Sequence, residues 1–385
     1  MLCNQKYITL LKEIADNYLD DFEEKGYAVS GHNGPYGHTD TPARNTAHWC
    51  IIYGYLWKIT GNQRYLILSR KFADYLITLQ QESISGAVKC MMNNSYNHMN
   101  GLIGQAWIIE ALVYVYSITK ESKYLCCAEK IFNVPHFEPT QHMWEMIELD
   151  GRNIGYDYTF NHQLWFAASG SLILDYVDSN IIKSYVMSYL DGCQNHMQIH
   201  KDGLIKHYGD LPSPFYRESA IKTFIKRTAK KTVFKNRRFI NPNRYDPDGY
   251  ERGYHLFNLY AFAILKQRFD THPLFQNFKL TKAIEYGKKM DIHNDYFNVE
   301  NVIAKKPNAE MNKYAYGYNS PAFEYPYIYS IFGADDFDAV SEKLFKIQLE
   351  ATYDPNNKCF AHNNYDPETL TARIYELVRY LEYIK

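Results

Sequence analysis

The sequence of 385 residues predicts an all-α fold, an (α/α)6 toroid that forms one domain over residues 1–385. Three observations lead to this prediction: helical hairpins repeat along the chain, very apolar helices alternate with amphipathic ones, and the first and last repeats open in the same way. The composition supplies ample material for a large core, because 46% of the residues are hydrophobic and 22% are charged.

The repeat is clearest in the first third of the chain. Residues 52–76 align with residues 111–134 at an offset of 59 positions, and each copy reads as an apolar helix, a polar turn and an amphipathic helix. Further copies are predicted over residues 160–190, from residue 253, and over residues 320–347. About six such hairpins fit the chain, as an open solenoid or a closed ring.

The two ends of the chain favour a closed ring. The stretches "DTPARNTAHW" and "DPETLTARIYEL" share one pattern, in which Thr41 or Asp366 is the predicted N-cap and Pro42 or Pro367 takes the first helical position. We therefore expect the last helix to pack beside the first.

Composition and charge exclude several function classes. The net charge of -1 offers no electrostatic footprint for nucleic acid or an anionic membrane. The N-terminus lacks the apolar core of a signal peptide, and no membrane span is expected, so the protein is predicted to be cytoplasmic. The seven scattered cysteines contain no CxxC pair, and neither a metal site nor a cofactor is predicted.

The aromatic residues suggest a sugar ligand, and a basic run leaves open whether that ligand is anionic. The chain has 36 tyrosines, and rings that line a groove stack on sugars. The loop at residues 312–327 is a predicted sugar-stacking rim with Tyr316, Tyr318 and Glu324, although it could equally be a packed loop. The basic run at residues 222–244 is either a solvated surface or a flap over an anionic ligand.

Polar residues at the starts of the apolar helices are the candidate site, because helix N-termini attract carboxylates. The first helix offers His38, Asp40, Arg44 and His48; Arg44 and His48 share a face, yet Asp40 and Arg44 could also form a capping network.

The second and third helices add further candidates. Asn100 enters the second helix, and Gln105 lies within it, where it is either a ligand-binding amide or a satisfied buried one. The third helix is preceded by Asp157 and opens with Asn161 and His162.

Trp165 follows one turn further along the third helix, where we count it among the substrate-binding candidates. The fourth helix brings Glu251, Arg252, Tyr254 and His255 within about two turns. Arginine there is a suitable bidentate partner for a carboxylate.

Four motifs resemble those of a family of α/α-toroid proteins encoded in gene clusters for surface-polysaccharide biosynthesis. They are "NGPYGHTDTPARNTAHW", "NGLIGQAWIIEAL", "TFNHQLWFAASG" and "TLTARIYEL", and they span most of the chain. This resemblance implies a biological setting, not a reaction.

Two shorter stretches resemble α/α-toroid alginate lyases: "NHQLWFAASG" and "ERGYHLFNLYAFAIL". In that family an Asn and a His neutralise the uronate carboxylate, an Arg assists, and a Tyr moves the proton. The resemblance implies these roles for Asn161, His162, Arg252 and Tyr254, with His255 following. The chain departs from the family at Phe160, where a second Asn is common, and in the short spacing from Arg252 to Tyr254.

The implied chemistry is abstraction of the C5 proton of a uronate in an acidic oligo- or polysaccharide. Donors aimed at the carboxylate stabilise the developing charge, and a tyrosine whose pKa is depressed by nearby cations could act as base. Loss of the 4-linked sugar gives a lyase, and reprotonation from the opposite face gives a C5-epimerase.

Two alternatives remain open at this level. A glycoside hydrolase needs two carboxylates across the sugar, for which Asp40, Asp157, Glu251 and Glu324 are available. A non-catalytic glycan-binding or scaffold subunit would keep the aromatic residues but tolerate loss of His162 and Tyr254.

Overall fold

The fold is a ring of helical hairpins, as predicted. The computed structural model describes residues 2–92, 97–209, 249–289 and 312–385. Six inner helical segments lie in the described ranges: α2 (Ala43–Thr60), α4 (Gly101–Thr119), α6 (Phe160–Ile173), α8 (Tyr250–Phe269), α10 (Pro321–Phe332), and α12 (Pro367–Ala372), which continues through the 3-10 turn Arg373–Tyr375 into α13 (Glu376–Tyr383). The outer helices are α1 (Leu2–Lys25), α3 (Gln63–Gln81), α5 (Ser122–Phe132), α7 (Asn180–His196), α9 (Phe278–Lys289) and α11 (Phe337–Thr352).

The inner and outer helices differ in burial because the inner ones are covered on all sides. Residues 101–113 of α4 are all buried. The outer helix α3 instead buries residues such as Tyr65, Ser69, Phe72 and Leu76, spaced three or four apart on one face. The apolar segments are therefore the inner wall of the ring, and the amphipathic segments cover them from outside.

The ring closes between the first and last inner helices. Each inner helix contacts the next, and α12 and α13 contact α2. Arg44 of α2 donates to the hydroxyl of Thr369 at 3.1 Å, and the rings of His48 and Tyr375 stack with centroids 4.2 Å apart. The prediction that the chain ends meet is thus confirmed.

The predicted caps are correct for the last inner helix and one residue off for the first. Asp366 accepts a hydrogen bond from the backbone N–H of Thr369 at 3.2 Å and precedes Pro367. Helix α2 begins at Ala43, so Pro42 takes the cap position, while the hydroxyl of Thr41 accepts from the N–H of Ala43 at 3.3 Å.

A three-stranded antiparallel sheet lies between α5 and α6, and the sequence did not predict it. Its strands, in spatial order, are β1 (His136–Glu138), β2 (Met143–Ile147) and β3 (Asn153–Tyr156). Phe137 pairs with Trp144, and Glu145 pairs with Tyr156. The sheet stands at the entrance of the third hairpin and carries residues that line the site described below.

The helix Gly101–Thr119 is long and apolar enough, by length and composition, to cross a membrane, which the sequence-based expectation of no span did not anticipate. It is α4, an inner helix, and 78% of its most apolar window is buried inside the ring.

Candidate active site

A cavity of about 440 Å³ opens at the N-terminal ends of α4 and α6. This volume lies in the usual range of small-molecule sites, roughly 300–1,000 Å³. Its walls come from the loop before α2, the loop before α4, the sheet, the turn before α6 and the segment after α7. The lining residues are Asn33, Tyr36, His38, Met91, Asn97, Asn100, Gly101, Met146, Ile154, Tyr156, Asp157, Tyr158, Thr159, His162 and Tyr208.

Asp157 and His162, both predicted at the start of the third inner helix, form a hydrogen-bonded pair in this wall. Oδ2 of Asp157 lies 2.7 Å from Nδ1 of His162 and also accepts from the N–H of Leu102 at 3.0 Å. Burial would raise the pKa of Asp157, but the neighbouring His162 and the hydrogen bonds that Asp157 accepts lower it. An ionised Asp157 holds the proton on Nδ1, which leaves Nε2 of His162 as the atom for proton transfer.

Glycine at position 101 is what lets this pair approach α4. Its φ is +61°, and a Cβ there would lie 2.2 Å from Oδ2 of Asp157 and 2.5 Å from Nδ1 of His162. Asn100 before it is left-handed at φ 59° and lines the cavity. Asn97 accepts from the N–H of Gly101 at 2.8 Å. The turn that opens α4 is therefore shaped around the histidine.

A buried polar network lies directly behind the cavity wall. Oδ1 of Asn33, which lines the cavity, accepts from Arg44 at 3.3 Å and from the hydroxyl of Tyr318 at 2.9 Å. Arg44 also pairs with Asp40 and lies over the ring of Trp107 at 5.2 Å. Arg44, Asp40 and Tyr318 are thus behind the lining residues, and the capping network between Asp40 and Arg44 is confirmed.

Tyr254 does not line the cavity, because Tyr36 lies between the two. Its hydroxyl oxygen is 3.0 Å from that of Tyr36, and Tyr36 is the tyrosine that lines the cavity. Burial raises the pKa of Tyr254 well above its usual range, and neighbouring Tyr318 raises it further. The expectation of a tyrosine with a depressed pKa is therefore wrong, because aromatic rings rather than cations surround it.

Three predicted site residues instead pack in the protein interior. His255 is fully buried: its Nε2 donates to the carbonyl of Ala283 at 2.9 Å, and its Nδ1 accepts from the N–H of Ile205 at 3.3 Å. Burial lowers the pKa of His255 to about 4. These contacts give it a structural role and not the catalytic one.

Gln105 and Trp165 are the other two. Gln105 exchanges two hydrogen bonds with the backbone of Val88, at 2.7 and 2.9 Å, so the alternative of a satisfied buried amide is the correct one. The indole of Trp165 donates to the carbonyl of Phe257 at 3.1 Å and stacks on the ring of Phe257 at 4.6 Å. Neither lines the cavity.

The predicted site residues at the starts of α8 and α10 also lie away from the cavity, as does Tyr316 just before α10. Glu251 accepts from Nε2 of His200 at 2.5 Å, and Arg252 is half-buried in the same first turn of α8. Glu324 is buried against Arg373 at 2.9 Å. Tyr316 is buried and residues 321–327 belong to α10, so the segment 312–327 is packed and is not an open rim.

The interior of the ring carries buried polar atoms that have no hydrogen-bond partner among the described residues. Each inner helical segment contributes at least one. They include both ring nitrogens of His48, Nε1 of Trp107, Oδ1 of Asn161, Oδ1 of Asn258, Oε2 of Glu324 and Oε2 of Glu376. Asn161 and His48, both predicted for the site, thus lie in the packed interior with unused hydrogen-bonding capacity, and neither lines the cavity.

Several functional candidates escaped sequence reasoning. Tyr36 lies in the quoted run "NGPYGHTDTPARNTAHW", but nothing in the run singles it out from the other tyrosines. Arg373 is in the quoted run "TLTARIYEL" and pairs with both Glu324 and Glu376 at 2.9 and 2.5 Å. His207 lies after α7, where burial lowers its pKa to about 3.

Two further predictions concern the basic run and the metal site. The basic run at residues 222–244 lies outside the described residues. Within the described ranges, no group of three or more His, Cys, Asp or Glu side chains is arranged to hold a metal ion.

Comparison with known proteins gives one sequence relative and several related folds. No family model matches the chain. It is 28% identical over 362 residues to archaeal glycosylation protein Q of Haloferax volcanii, and the alignment covers 93% of each chain.

The fold is similar to those of three solved structures. They are D-mannose isomerase (TM-score 0.64, 10% identity, 98% of this chain and 96% of the other), an unsaturated glucuronyl hydrolase specific for heparin (0.59, 11%, 98% and 96%), and cellobiose 2-epimerase from Spirochaeta thermophila (0.59, 11%, 99% and 98%). The chain therefore has the α/α-toroid fold of these carbohydrate enzymes over nearly its whole length.

Proposed function

We propose that this protein is a sugar-modifying enzyme of glycan assembly that abstracts the C5 proton of a uronate in an oligo- or polysaccharide, as a C5-epimerase or a lyase. The setting is supported by the similarity to a protein named for archaeal glycosylation. The sugar substrate is supported by the fold, which an isomerase, an epimerase and a glucuronyl hydrolase share.

The observation that carries the proposal is the Asp157–His162 pair in the wall of the cavity. A histidine whose Nδ1 is held by an ionised carboxylate presents Nε2 as a general base, and such proton transfer contributes about 10²–10⁴-fold to a rate. His162 keeps 21% of its side chain exposed, so its ring is accessible from the cavity.

The helix ends at this cavity offer a seat for the carboxylate of an acidic sugar beside Asp157, which itself already accepts from the N–H groups of Leu102 and Thr159. The cavity lies at the N-termini of two helices, α4 and α6, and their dipoles favour a negative group there. The amides of Asn97 and Asn100 supply neutral donors beside them. Because proton loss at C5 places charge on the adjacent carboxylate, donors and positive helix ends stabilise the anion that forms.

A hydrolase receives less support from the placement of the acids. Of the four carboxylates considered, Asp157 lines the cavity, and it is held by His162. Asp40 is paired with Arg44, Glu251 with His200, and Glu324 with Arg373. No second acid faces Asp157 across the described part of the cavity wall.

The test is incubation of the purified protein in D₂O with oligomannuronate, oligoguluronate and 4-linked glucuronate oligosaccharides. We expect deuterium at C5 by NMR, together with an inverted uronate or an unsaturated product that absorbs ultraviolet light. If reducing ends accumulate without either signal, the hydrolase takes its place. Binding of a glycan without any turnover would support the non-catalytic alternative instead.

A further inference from the structure

Among the proton-carrying side chains that line the cavity, two come from distant parts of the chain and carry this inference. One is His162 of α6, and the other is Tyr36, the last residue of the 3-10 turn Gly34–Tyr36. Tyr254, which the sequence indicated as the proton carrier, reaches the cavity through Tyr36, because the two hydroxyl oxygens are 3.0 Å apart. Tyr36 thus lies at the cavity, and Tyr254 lies behind it.

The position of Tyr36 is fixed by its surroundings. Asp366 accepts a hydrogen bond from the N–H of Gly34 at 2.9 Å and ties the turn to the start of α12. The ring of Tyr36 packs against those of Tyr314, at 5.8 Å between centroids, and Tyr318, at 6.1 Å. Its hydroxyl is therefore held beside the cavity and not carried on a free loop.

We propose that Tyr36 is a second catalytic residue of this site, the acid that works with His162 as the base, and that Tyr254 positions it. This inference rests on the proposed function. Nε2 of His162 takes the C5 proton, and the electron pair of the broken C–H bond is delocalised into the uronate carboxylate. The O–H of Tyr36 then gives its proton either to C5 on the opposite face, or to the oxygen at C4 as that C–O bond breaks and the electron pair from C5 forms the C4=C5 double bond.

The proton balance closes through solvent. After the transfer His162 carries one extra proton and Tyr36 lacks one, and exchange with water restores both. Tyr254 donates its hydrogen bond to the phenolate of Tyr36 while that charge exists. Burial keeps both phenols protonated at neutral pH, since it raises the pKa of Tyr36 and of Tyr254 well above the usual range. Both therefore enter the reaction as donors.

The test compares three variants, Tyr36→Phe, Tyr254→Phe and Tyr27→Phe, with the full-length wild type in D₂O on the uronate oligosaccharides named above. Tyr27 is the matched control, because it stacks on Tyr75 at 5.2 Å on the surface, away from the cavity. For each variant, circular dichroism verifies folding, and two rates are measured: deuterium entry at C5 and formation of the inverted or unsaturated product.

We expect Tyr36→Phe to keep deuterium entry within about 3-fold of wild type, because His162 still removes and returns the proton, while product formation falls at least about 10-fold. Tyr254→Phe should lower product formation less, and Tyr27→Phe should change neither rate. A folded Tyr36→Phe protein that forms product at the wild-type rate, or that loses both rates together, overturns the assignment of Tyr36. A wild type without deuterium entry or product overturns the proposed function itself.

Discussion

The carboxylate of Asp157 holds His162 through a hydrogen bond of 2.7 Å to Nδ1. The same oxygen accepts from the first turn of α4, so the bond joins the mouths of two neighbouring inner helices. Since an ionised carboxylate only accepts, the bond also decides which imidazole nitrogen carries the proton. The toroid of helices therefore orients His162, the candidate base, through the hydrogen bonds of Asp157.

Replacing His162 with Gln should reduce C5 deuterium entry by about 10²–10⁴-fold, because the amide cannot accept a proton at neutral pH. The rate is measured by NMR with the oligosaccharides described above. His136→Gln is the matched control, since His136 also pairs with a carboxylate, Glu145 at 3.1 Å, but is exposed on β1. Equal rates for the two variants would remove His162 from the mechanism.

Replacing Gly101 with Ala should destabilise the protein and disturb the site together. The new Cβ meets positive φ and also the Asp157–His162 pair at 2.2–2.5 Å. Gly151→Ala shares the positive φ, at +87°, but meets no atom within 4 Å, so it should cost only backbone strain of about 1–2 kcal/mol. Urea unfolding should show the larger loss for Gly101→Ala; a smaller loss than that of Gly151→Ala would contradict the close approach.

Acid should weaken the fold partly through His255. Its folded pKa of about 4 lies below the unfolded value of about 6.5, so the unfolded state binds the proton first as the pH falls. The contribution of His255 to the unfolding free energy is therefore fully present above pH 6.5. As the pH falls from 6.5 to 4, roughly 1–3 kcal/mol of it is lost. His255→Gln should flatten the dependence of the unfolding free energy on pH in that window.

The buried cluster of Arg373, Glu324 and Glu376 should respond unequally to substitution. Burial raises the pKa of both glutamates, that of Glu376 to about 7, so neutral Gln should replace Glu324 at a cost within about 1 kcal/mol. Arg373→Met leaves the two buried glutamates without the cation they share and should cost about 3–5 kcal/mol. Chemical denaturation measures both, and equal costs would argue against this charge arrangement.

The helical repeat was predictable because long segments carry periodic signals. The hairpins α2–α3 and α4–α5 contain 18 and 19, then 19 and 11 helical residues, enough to show apolar and amphipathic periods. The sheet between α5 and α6 escaped prediction because its strands have only three to five residues, too few for alternation to stand out.

The sequence predicted that the site lies at the starts of the inner helices, but not which side chains there face the cavity. Asp157, His162 and Asn100 lie in the cavity wall, as their positions before or at helix starts indicated. Tyr254 and His255 lie about 100° apart on α8, and sequence cannot say which direction faces the ligand. The structure turns His255 towards α9 and Tyr254 towards Tyr36.

The hydrogen bond from the N–H of Gly34 to Asp366 has a consequence for how the protein folds during its synthesis. Residues 332 positions apart in sequence close one wall of the cavity. A ribosome releases residues in order, at roughly 5–20 per second, so the early segment with Asn33 and Tyr36 waits for almost the entire chain before it can settle. A nascent or prematurely terminated chain should therefore carry ordered hairpins but an unfinished binding site, and capacity to recognise a ligand should emerge last.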